Sequence, residues 1–211
     1  MSAGYPVVLR LAGRRCVVVG GGSVAARKVG TLVRSGADVV VVAPEIAPEI
    51  EAFAETGGVQ LERRTFEPAD LDGALLAFAA TDSKSVNRAV AQAAHERGVL
   101  TNVSDDPSAS DFTNPGLVRR RDITLAVSTG GRSPAFARFL REQLQDWLTD
   151  ARCALLEVVA DVRRDLRSAG KSLDAERWRR AIDDEHVVRS IEAGDREGAR
   201  RRIFEALMPG R

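Results

Sequence analysis

The chain has 211 residues, of which 44% are hydrophobic and 29% charged, an ordinary composition for a soluble globular protein with room for a main domain and a smaller appendage. Its 31 Lys and Arg residues nearly balance 30 Asp and Glu residues, so the overall charge indicates neither nucleic-acid nor membrane binding. No apolar run approaches the roughly 20 residues of a membrane span, and no signal-peptide pattern opens the chain, so we expect a cytoplasmic protein. Two distant cysteines, Cys16 and Cys153, are expected to be buried thiols.

Short apolar runs alternate with helix-like stretches through the first hundred residues. Uniformly apolar strands must be covered on both faces, which together with the intervening helices indicates a parallel sheet of βα units. The predicted strands are 16–19, 39–42, 59–61, 75–78 and 100–103, and the predicted helices are 25–33 and 83–97. After about residue 112 we expect a strand at 122–127, an amphipathic helix at 135–147 and further helices from 151 to the end.

The first predicted strand runs into the segment GGGSVA, residues 20–25, which matches the G-x-G-x-x-A dinucleotide fingerprint between a strand and a helix. Gly20 would permit the tight turn, Gly22 would let the backbone approach a diphosphate, and Ala25 would allow the helix to pack closely on the strand. The N–H groups at the start of the helix would then bind the phosphates. The alternative is a glycine-rich turn without a ligand, which the succession of βα units makes less favoured.

The acidic residue that usually holds a ribose hydroxyl of NAD, about 20 positions after the fingerprint, is displaced in this sequence. The second strand continues into Ala43, Pro44 and Glu45, so Glu45 comes slightly late. Glu45 fits a ribose ligand and equally a residue of a first helical turn, where the helix dipole favours a carboxylate. The spacing by itself therefore does not decide between NAD and NADP.

Polar residues also follow two later strands, at the edge where an open α/β sheet binds its ligand. Thr81 and Asp82 follow the fourth strand, and Asp82 is also suited to cap the helix after it. Asp105 and Asp106 follow the fifth strand, just ahead of a proline. These two carboxylates are candidates for acid/base chemistry and equally for plain turn formation.

A second glycine-rich segment, 128–133, precedes the helix predicted at 135–147. Ser133 suits the N-cap and Pro134 the first helical turn, while the hydroxyls, glycines and Arg132 together are typical of an anion-binding nest. The surrounding arginines fit a carboxylate-rich ligand, because Arg binds carboxylates in bidentate fashion, or simply a solvated surface. They are Arg119, Arg120, Arg121, Arg132, Arg138 and Arg141.

Four segments in order resemble the precorrin-2 dehydrogenase/sirohydrochlorin ferrochelatase family, which includes the N-terminal module of multifunctional siroheme synthases. The resemblance covers roughly residues 6–147 and rests on VVVGGGSVAARKV, AFAATDSKSVN, TNVSDDPSASDFTNP and ITLAVSTGGRSPAFARFLRE. It implies an α/β protein with a Rossmann-type NAD-binding domain at 1–113, a dimerisation segment at 114–150 and a small helical domain at 151–211. It also implies a homodimer that oxidises precorrin-2 to sirohydrochlorin with NAD.

The resemblance also implies roles for individual residues. Asp105 matches the Asp of the family's N-V-x-D motif, which is proposed to act as acid/base residue, and Thr129 matches a hydroxyl residue that can be a phosphoserine in siroheme synthases. The candidate cofactor-binding residues are Gly20, Gly21, Gly22, Ser23, Val24, Ala43, Pro44, Thr81, Asp82, Asn102 and Val103. The candidate substrate-binding residues are Asn114, Ser128, Thr129, Gly130, Gly131, Arg132 and Ser133.

Several functional alternatives stay open at this point. Insertion of Fe²⁺ into sirohydrochlorin, the family's second activity, would make Fe²⁺ a co-substrate; neither His95 nor His186 has metal-ligand spacing, so we expect no resident metal. A non-catalytic, NAD-sensing dimer would explain the glycine turn but not the NVSDDP and STGGRSP segments. A methyltransferase domain would need many more residues, so methylation is expected from another protein.

Overall fold

The computed structural model describes residues 4–208, which form two compact units that divide between Asn114 and Pro115. The first unit is a Rossmann-like α/β fold around a parallel sheet of five strands, as the sequence predicts. The second unit combines a β-hairpin with helices. A further division near residue 150, into a dimerisation segment and a helical domain, stays a prediction.

The sheet of the first unit has the strand order β3-β2-β1-β4-β5, with every neighbouring pair parallel. Because the chain crosses from β3 to β4 on the far side of β1, the loops after β1 and β4 diverge, and open α/β sheets bind ligands at such a point. The elements are β1 (Arg15–Val19), α1 (Ser23–Arg34), β2 (Asp38–Val42), α2 (Pro48–Glu55), β3 (Val59–Glu62), β4 (Leu76–Ala79), α3 (Lys84–Arg97) and β5 (Leu100–Val103). Helix α2 is an addition to the helices that the sequence pattern predicts.

The strands are apolar throughout because both faces of the sheet are covered. Along β1, Cys16 and Val18 pack on the face that carries α1 and α2, while Val17 and Val19 pack on the opposite face with α3. All four side chains are at most 2% exposed. Full burial of an aliphatic side chain of this size contributes about 1.5–3 kcal/mol, so this central strand anchors the first unit.

The outer edge of β5 is covered by the loop that follows it. The N–H of Thr101 donates to the carboxylate of Asp111 (2.9 Å), and the N–H of Asp111 donates back to the Thr101 carbonyl (2.8 Å). The N–H of Val103 donates to the hydroxyl of Ser110 (2.9 Å). Unpaired edge amides invite pairing with other chains, so Ser110 and Asp111 protect this edge, a role that the sequence alone does not reveal.

The second unit begins with an antiparallel hairpin of β6 (Gly116–Arg120) and β7 (Ile123–Val127). The sequence pattern predicts β7 but misses β6, because the arginines of β6 read as polar surface. Arg121 closes the hairpin with a φ of 49°, in the left-handed region. The helices that follow are α4 (Pro134–Trp147), α5 (Asp150–Ser168), α6 (Ala175–Ile182), α7 (Glu185–Glu192) and α8 (Arg196–Leu207).

Helices α5 to α8 enclose an apolar core of their own. Its most deeply buried members are Val162, Val187, Ala199, Ile203 and Leu207. The helix breaks predicted at Gly170 and Gly194 are confirmed, since both glycines have a positive φ (69° and 79°) and lie between helices. A further break at 183–184, which separates α6 from α7, is not apparent in the sequence pattern.

Helix α4 packs through Leu144 on Val118 and Cys153 but leaves the aromatic part of its apolar face uncovered. None of its side chains is buried, and Phe136, Phe139 and Trp147 are each just over half exposed. The rings of Phe136 and Phe139 stack with their centroids 6.0 Å apart. Clustered exposed aromatic side chains on one helix are typical of a surface that another protein covers.

Both cysteines are buried free thiols, as the sequence predicts. Burial raises the pKa of Cys16 to about 11, so this thiol stays protonated and unreactive at neutral pH. Within residues 4–208, no helix is both long and apolar enough to cross a membrane.

Candidate functional site

The loop between β1 and α1 is a tight turn built on glycines. Gly20 has a φ of 126°, which residues with a Cβ rarely adopt, and its N–H donates to the Val42 carbonyl at 3.0 Å. A Cβ at Gly20 would overlap the carbonyl oxygen of Ala80. Gly21 is equally constrained, because a Cβ there would overlap the carbonyl oxygen of Glu45. The sequence predicts the turn at Gly20 but not the close backbone approach at Gly21.

The N-terminus of α1 is open above this turn. Gly22 is the N-cap residue, no side-chain hydrogen bond caps the helix within the described part of the chain, and its first turn has no acidic residue. A Cβ added at Gly22 would meet no atom within 4 Å, and Gly22 and Ser23 are both exposed. Uncapped N–H groups beside open space at a helix N-terminus bind phosphate, so Gly22, Ser23 and Val24 fit the diphosphate of a dinucleotide.

The segment after β2 continues along the same edge of the sheet. Ala43 is buried, whereas Pro44 and Glu45 are exposed. Helix α2 begins only at Pro48, which takes the first helical position, so the interpretation of Glu45 as a first-turn residue is wrong. The backbone carbonyl of Glu45 instead packs against Gly21, and the Glu45 side chain stays a candidate ligand for ribose.

The segment after β4 places Thr81 and Asp82 at this edge. The hydroxyl of Ser83 accepts a hydrogen bond from the N–H of Val86 (3.4 Å) and caps α3. The prediction that Asp82 caps this helix is therefore wrong, because the helix begins one residue later than expected and Ser83 occupies the cap position. The Asp82 side chain is exposed, and Thr81 is half-buried.

A residue that the sequence analysis missed, Asn87, connects two of the predicted positions. Its side chain is 1% exposed and lies on the inward face of α3. Its Oδ1 accepts from the N–H (3.1 Å) and the hydroxyl (2.8 Å) of Thr81. Its Nδ2 donates to the Thr81 carbonyl (3.0 Å) and to Oδ1 of Asp105 (2.9 Å). In the sequence, the one sign of this role is that Asn87 is a polar residue on the helix face that also carries the apolar Val90 and Ala94.

Asp105 and Asp106 are adjacent but are held differently. Oδ1 of Asp106 accepts from the N–H groups of Ser108 (3.0 Å) and Ala109 (3.3 Å), which caps a short 3₁₀ turn. Hydrogen bonds from the hydroxyl and N–H of Ser108 lower the pKa of Asp106. Asp105 is exposed, and within residues 4–208 the bond from Asn87 is its only side-chain hydrogen bond. Turn formation thus explains Asp106, and Asp105 is the carboxylate that a ligand can reach.

Asn102 belongs to a second polar network. It is 7% exposed, and its Oδ1 accepts from Nζ of Lys28 (3.1 Å) and Nδ2 of Asn114 (3.4 Å). Its Nδ2 donates to the Phe112 carbonyl (2.9 Å). Burial lowers the pKa of Lys28, a residue of α1 that the sequence analysis did not single out. The neighbouring Val103 is a core residue, so its side chain faces away from the site.

The second glycine-rich loop lies in the second unit. Ser133 caps α4, with its hydroxyl accepting from the N–H of Phe136 (3.1 Å), and Pro134 takes the first turn, so both of these predictions are confirmed. The hydroxyl of Thr129 donates to the Ser133 carbonyl (3.2 Å) and accepts from its N–H (3.4 Å). The hydroxyls of Thr129 and Ser133 are therefore both engaged inside the loop.

The middle of this loop has two consecutive left-handed glycines, Gly130 and Gly131, with φ values of 61° and 77°. The hydroxyl of Ser128 accepts from the N–H of Gly130 (3.2 Å). Arg132 is exposed and forms no ion pair with any residue from 4 to 208. The N–H groups of Gly130, Arg132 and Ser133 already donate within the loop, so a ligand there would meet the guanidinium of Arg132 first.

Most other arginines of this region are paired at the surface. The ion pairs are Arg120–Asp150 (3.8 Å), Arg121–Glu157 (3.3 Å), Arg138–Glu142 (2.9 Å) and Arg141–Glu142 (3.6 Å). Such pairs favour the interpretation of these four side chains as a solvated surface. The structure thus brings Gly20, Thr81 and Asp105 to one edge of the first unit, while residues 128–133 belong to the second.

Comparison with known proteins gives a family match in the first unit and a shorter one in the second. Residues 7–116 match a family described as "Putative NAD(P)-binding", and residues 120–146 match one described as "Sirohaem biosynthesis protein central". The siroheme synthase of Chromobacterium violaceum is 36% identical over 208 residues, 98% of this chain and 44% of the relative. The siroheme synthase of Methylobacillus flagellatus is 44% identical over 140 residues, 66% of this chain and 30% of the relative.

The chain thus spans less than half the length of these relatives. A solved structure, "SirC, precorrin-2 dehydrogenase", superposes with a TM-score of 0.75 at 23% identity and covers 96% of this chain and 100% of its own. That similarity shows the fold. The NAD(P)-binding match covers just over half of the 211 residues and includes the glycine turn, Thr81 and Asp105. The chain therefore belongs to this NAD(P)-binding family and carries the central segment of sirohaem biosynthesis proteins.

Proposed function

We propose that this chain catalyses the NAD-dependent oxidation of precorrin-2 to sirohydrochlorin. The proposal rests on one observation: an open helix N-terminus and an accessible carboxylate lie at the same edge of the sheet. The open N-terminus of α1 fits a dinucleotide diphosphate, and the accessible carboxylate of Asp105 is bonded through Asn87 to Thr81, which follows the strand next to β1. NAD-dependent dehydrogenation of a carbon framework that also releases a proton needs both a dinucleotide site and a proton acceptor.

The reaction removes two electrons and two hydrogens from the reduced macrocycle. Bound NAD⁺ supplies the acceptor for one hydrogen and the electron pair, as hydride. The second hydrogen leaves as a proton, and Asp105 accepts it on Oδ2, the oxygen that Asn87 does not bond. Help from a positioned base of this kind is typically worth about 10²–10⁴-fold in rate. The products are sirohydrochlorin, NADH and one proton, which Asp105 returns to solvent because it is exposed.

The substrate is a tetrapyrrole with many carboxylate side chains. Asn114 and the loop at 128–133 are its proposed binding residues. Because the hydroxyls of Ser128, Thr129 and Ser133 bond inside the loop, the guanidinium of Arg132 supplies the attraction for a carboxylate.

NAD rather than NADP is the proposed cofactor, on the support of the segment after β2. Glu45 is exposed there and lies beside the glycine turn. A carboxylate at this place attracts a free ribose 2′-hydroxyl and repels a 2′-phosphate. Ala43 and Pro44 are proposed to line the same part of the cofactor site.

We also propose a homodimer in which α4 contributes the contact. Phe136, Phe139 and Trp147 form an exposed aromatic face on a helix that buries none of its side chains within the described chain. Replacement of Phe139 by Asp is expected to give a folded monomer, because a charge would be left at the centre of the apolar contact. Sedimentation velocity measures this outcome, and a wild-type monomer would contradict the dimer.

Insertion of Fe²⁺ into sirohydrochlorin is a second candidate activity, with the ion as co-substrate. Among residues 4–208 no group of three His, Cys, Asp or Glu side chains could hold a metal ion. Asp105 supports the candidate because metal entry, like oxidation, requires a group that takes pyrrole protons.

The cytoplasm is the proposed location, since the pathway's reduced substrates need a reducing compartment.

The test is an anaerobic assay with enzymatically generated precorrin-2, in which sirohydrochlorin formation is followed by absorbance. We expect oxidation with NAD, much slower oxidation with NADP, and an iron-dependent spectral change if Fe²⁺ is inserted afterwards. A folded, NAD-binding protein without oxidation would overturn the enzyme proposal and favour a non-catalytic NAD sensor.

The adjacent carboxylates give a matched pair of variants for this assay. Asp105→Asn removes the proton acceptor, so kcat should fall by about 10²-fold or more. Asp106→Asn keeps a side-chain oxygen for the N–H groups of Ser108 and Ala109, so it should retain most activity. Equal losses in the two variants would show that the loop, rather than the carboxylate of Asp105, matters.

A further inference from the structure

Asn87 is a buried amide with every hydrogen-bonding position filled. Its oxygen accepts two hydrogen bonds from Thr81, and its nitrogen donates one to Thr81 and one to Asp105. Two acceptor and two donor positions are all that an Asn side chain has. A residue that is 1% exposed and fully satisfied in this way is held rigidly, since any rotation would leave buried polar groups without partners.

Hydrogen bonding to Thr81 fixes the orientation of the Asn87 side-chain amide. Its backbone N–H is a donor only, so the oxygen of Asn87 must face it (3.1 Å). The nitrogen of Asn87 is then turned toward Asp105, to which it can only donate (2.9 Å). The orientation at Asp105 is therefore set by the turn after β4, on a different strand of the sheet.

This arrangement distinguishes the two oxygens of Asp105. Oδ1 is held by a donor and is fixed in place, which leaves Oδ2 as the oxygen that can take a proton. Asp105 follows an edge strand and is exposed, so without this bond its side chain would sample several rotamers.

We propose that Asn87 is a positioning residue, which holds the Asp105 carboxylate for proton transfer and couples it to the cofactor-side turn at Thr81. The inference rests on the proposed oxidation, since it assigns Asn87 a part in that reaction. The inference extends the proposed mechanism by naming a residue that touches neither substrate nor cofactor. A change at Asn87 that removes the bonds to Thr81 as well as the bond to Asp105 should therefore affect cofactor binding and proton transfer together.

The substitution Asn87→Asp separates the two halves of this network. One carboxylate oxygen can still accept from the N–H and hydroxyl of Thr81, so two of the three hydrogen bonds to this turn are kept. The other oxygen faces both the Thr81 carbonyl and Asp105, where a donor is replaced by an acceptor, and the repulsion is strongest at the charged carboxylate of Asp105. We expect kcat at saturating NAD and precorrin-2 to fall by about tenfold to a hundredfold, the size of effect that misplacement of a reacting group produces. We expect the Kd for NAD to change by less than about threefold, because two of the three hydrogen bonds that hold Thr81 remain.

Two further variants complete the experiment. Asn87→Leu removes both halves and should weaken NAD binding as well as kcat. Gln92→Leu, on the same helix, removes an exposed amide that bonds Glu96 (3.1 Å) and should leave kcat, Kd and melting temperature unchanged. Melting temperatures of all variants are measured beside the kinetics, so that loss of fold is not taken for loss of positioning.

The outcomes separate the two proposals. A wild-type protein without precorrin-2 oxidation overturns the proposed function, and the role of Asn87 with it. An active wild type with an equally active Asn87→Asp variant overturns the positioning role alone. The positioning role is also overturned if the fall in kcat of Asn87→Asp comes with a loss of NAD affinity of the same size. A clearly lower melting temperature of this variant overturns it too, because the residue would then be structural. A selective fall in kcat supports it.

Discussion

Two glycine-rich loops precede helices in this molecule, and they leave the helix N-termini in opposite states. The first ends in Gly22, which gives α1 no capping side chain, whereas the second ends in Ser133, whose hydroxyl caps α4. Above Gly22 lies open space, while Thr129 bonds back onto Ser133 and closes the second loop on itself. Glycine content alone therefore does not identify a phosphate site; what matters is whether the loop already satisfies the helix that follows it.

The difference also changes how an anion would be bound in each place. At α1 no side chain caps the N–H groups of the first helical turn, so they are free to bind an anion. At α4 the cap is occupied and the N–H of Gly130 is bonded to Ser128, so attraction must come mainly from Arg132. The first loop suits a diphosphate held by the backbone, and the second suits the carboxylates of a substrate.

The largest effect is expected where the first loop touches its neighbour. In Gly21→Ala the new methyl group would overlap the Glu45 carbonyl, so we expect the free energy of unfolding to fall by about 1–3 kcal/mol and NAD binding to be lost. Gly22→Ala is the control, because its methyl group points into open space and should leave stability nearly unchanged. Urea unfolding and calorimetric titration with NAD measure both. Equal stability of the two variants would contradict the close approach at Gly21.

The next effect comes from giving the first loop the cap that the second one has. Gly22→Asp places a carboxylate where it can cap α1, which should alter stability by only a few tenths of a kcal/mol. The same charge should repel the NAD diphosphate and weaken binding by about tenfold, or roughly 1.4 kcal/mol. Gly22→Ser supplies a neutral cap and separates the effect of charge from that of size. Unchanged affinity in Gly22→Asp would place the diphosphate elsewhere.

A smaller effect follows from removing the cap of the second loop. Ser133→Ala leaves the N–H of Phe136 without its acceptor, so the free energy of unfolding should fall by about 1 kcal/mol. Ser128→Ala removes only a bond to the exposed N–H of Gly130 and should change it by less than about 0.5 kcal/mol. Thermal unfolding of the two variants side by side tests this order, and a larger loss at Ser128 would reverse our assignment of the cap.

The smallest effect concerns charge in the first unit, away from both loops. Burial alone would raise the pKa of Asp70, but hydrogen bonds from Arg64 (2.6 and 2.9 Å) and the N–H of Glu67 outweigh it and lower the pKa. Because the folded pKa lies below that of free Asp, about 3.9, the stabilisation is present above that pH and is lost as the pH falls through the folded pKa.

Asp70→Asn should therefore be less stable than the wild type at neutral pH, by no more than about 1 kcal/mol because Arg64 is partly exposed. The difference should shrink in strong acid, where the wild-type carboxylate is also protonated. Urea unfolding at neutral and acid pH measures the two differences. A difference that is constant over this range would show that the charge of Asp70 contributes nothing.

Elements with a clear local period were predictable, and those defined by distant partners were not. The strands and helices of the first unit follow from apolar runs and breaks, and Ser133 and Pro134 follow from helix-start preferences. Strand β6 was missed because it is partly exposed and is specified by pairing with β7. The cap at Ser83 instead of Asp82 was missed because helix starts shift by a residue without changing the pattern.

The sequence by itself determined the parallel sheet, the position of the glycine turn and the set of polar residues at its edge, since each depends on neighbours a few residues away. Only the tertiary structure decided which of those residues are accessible. The carboxylate of Asp106 caps the 3₁₀ turn that follows it. Asn87 of α3 donates a hydrogen bond to Asp105, and Asp111 pairs with the outer edge of β5. These roles depend on hydrogen bonds between residues that the fold brings together, and such partners leave no periodic trace in a single sequence.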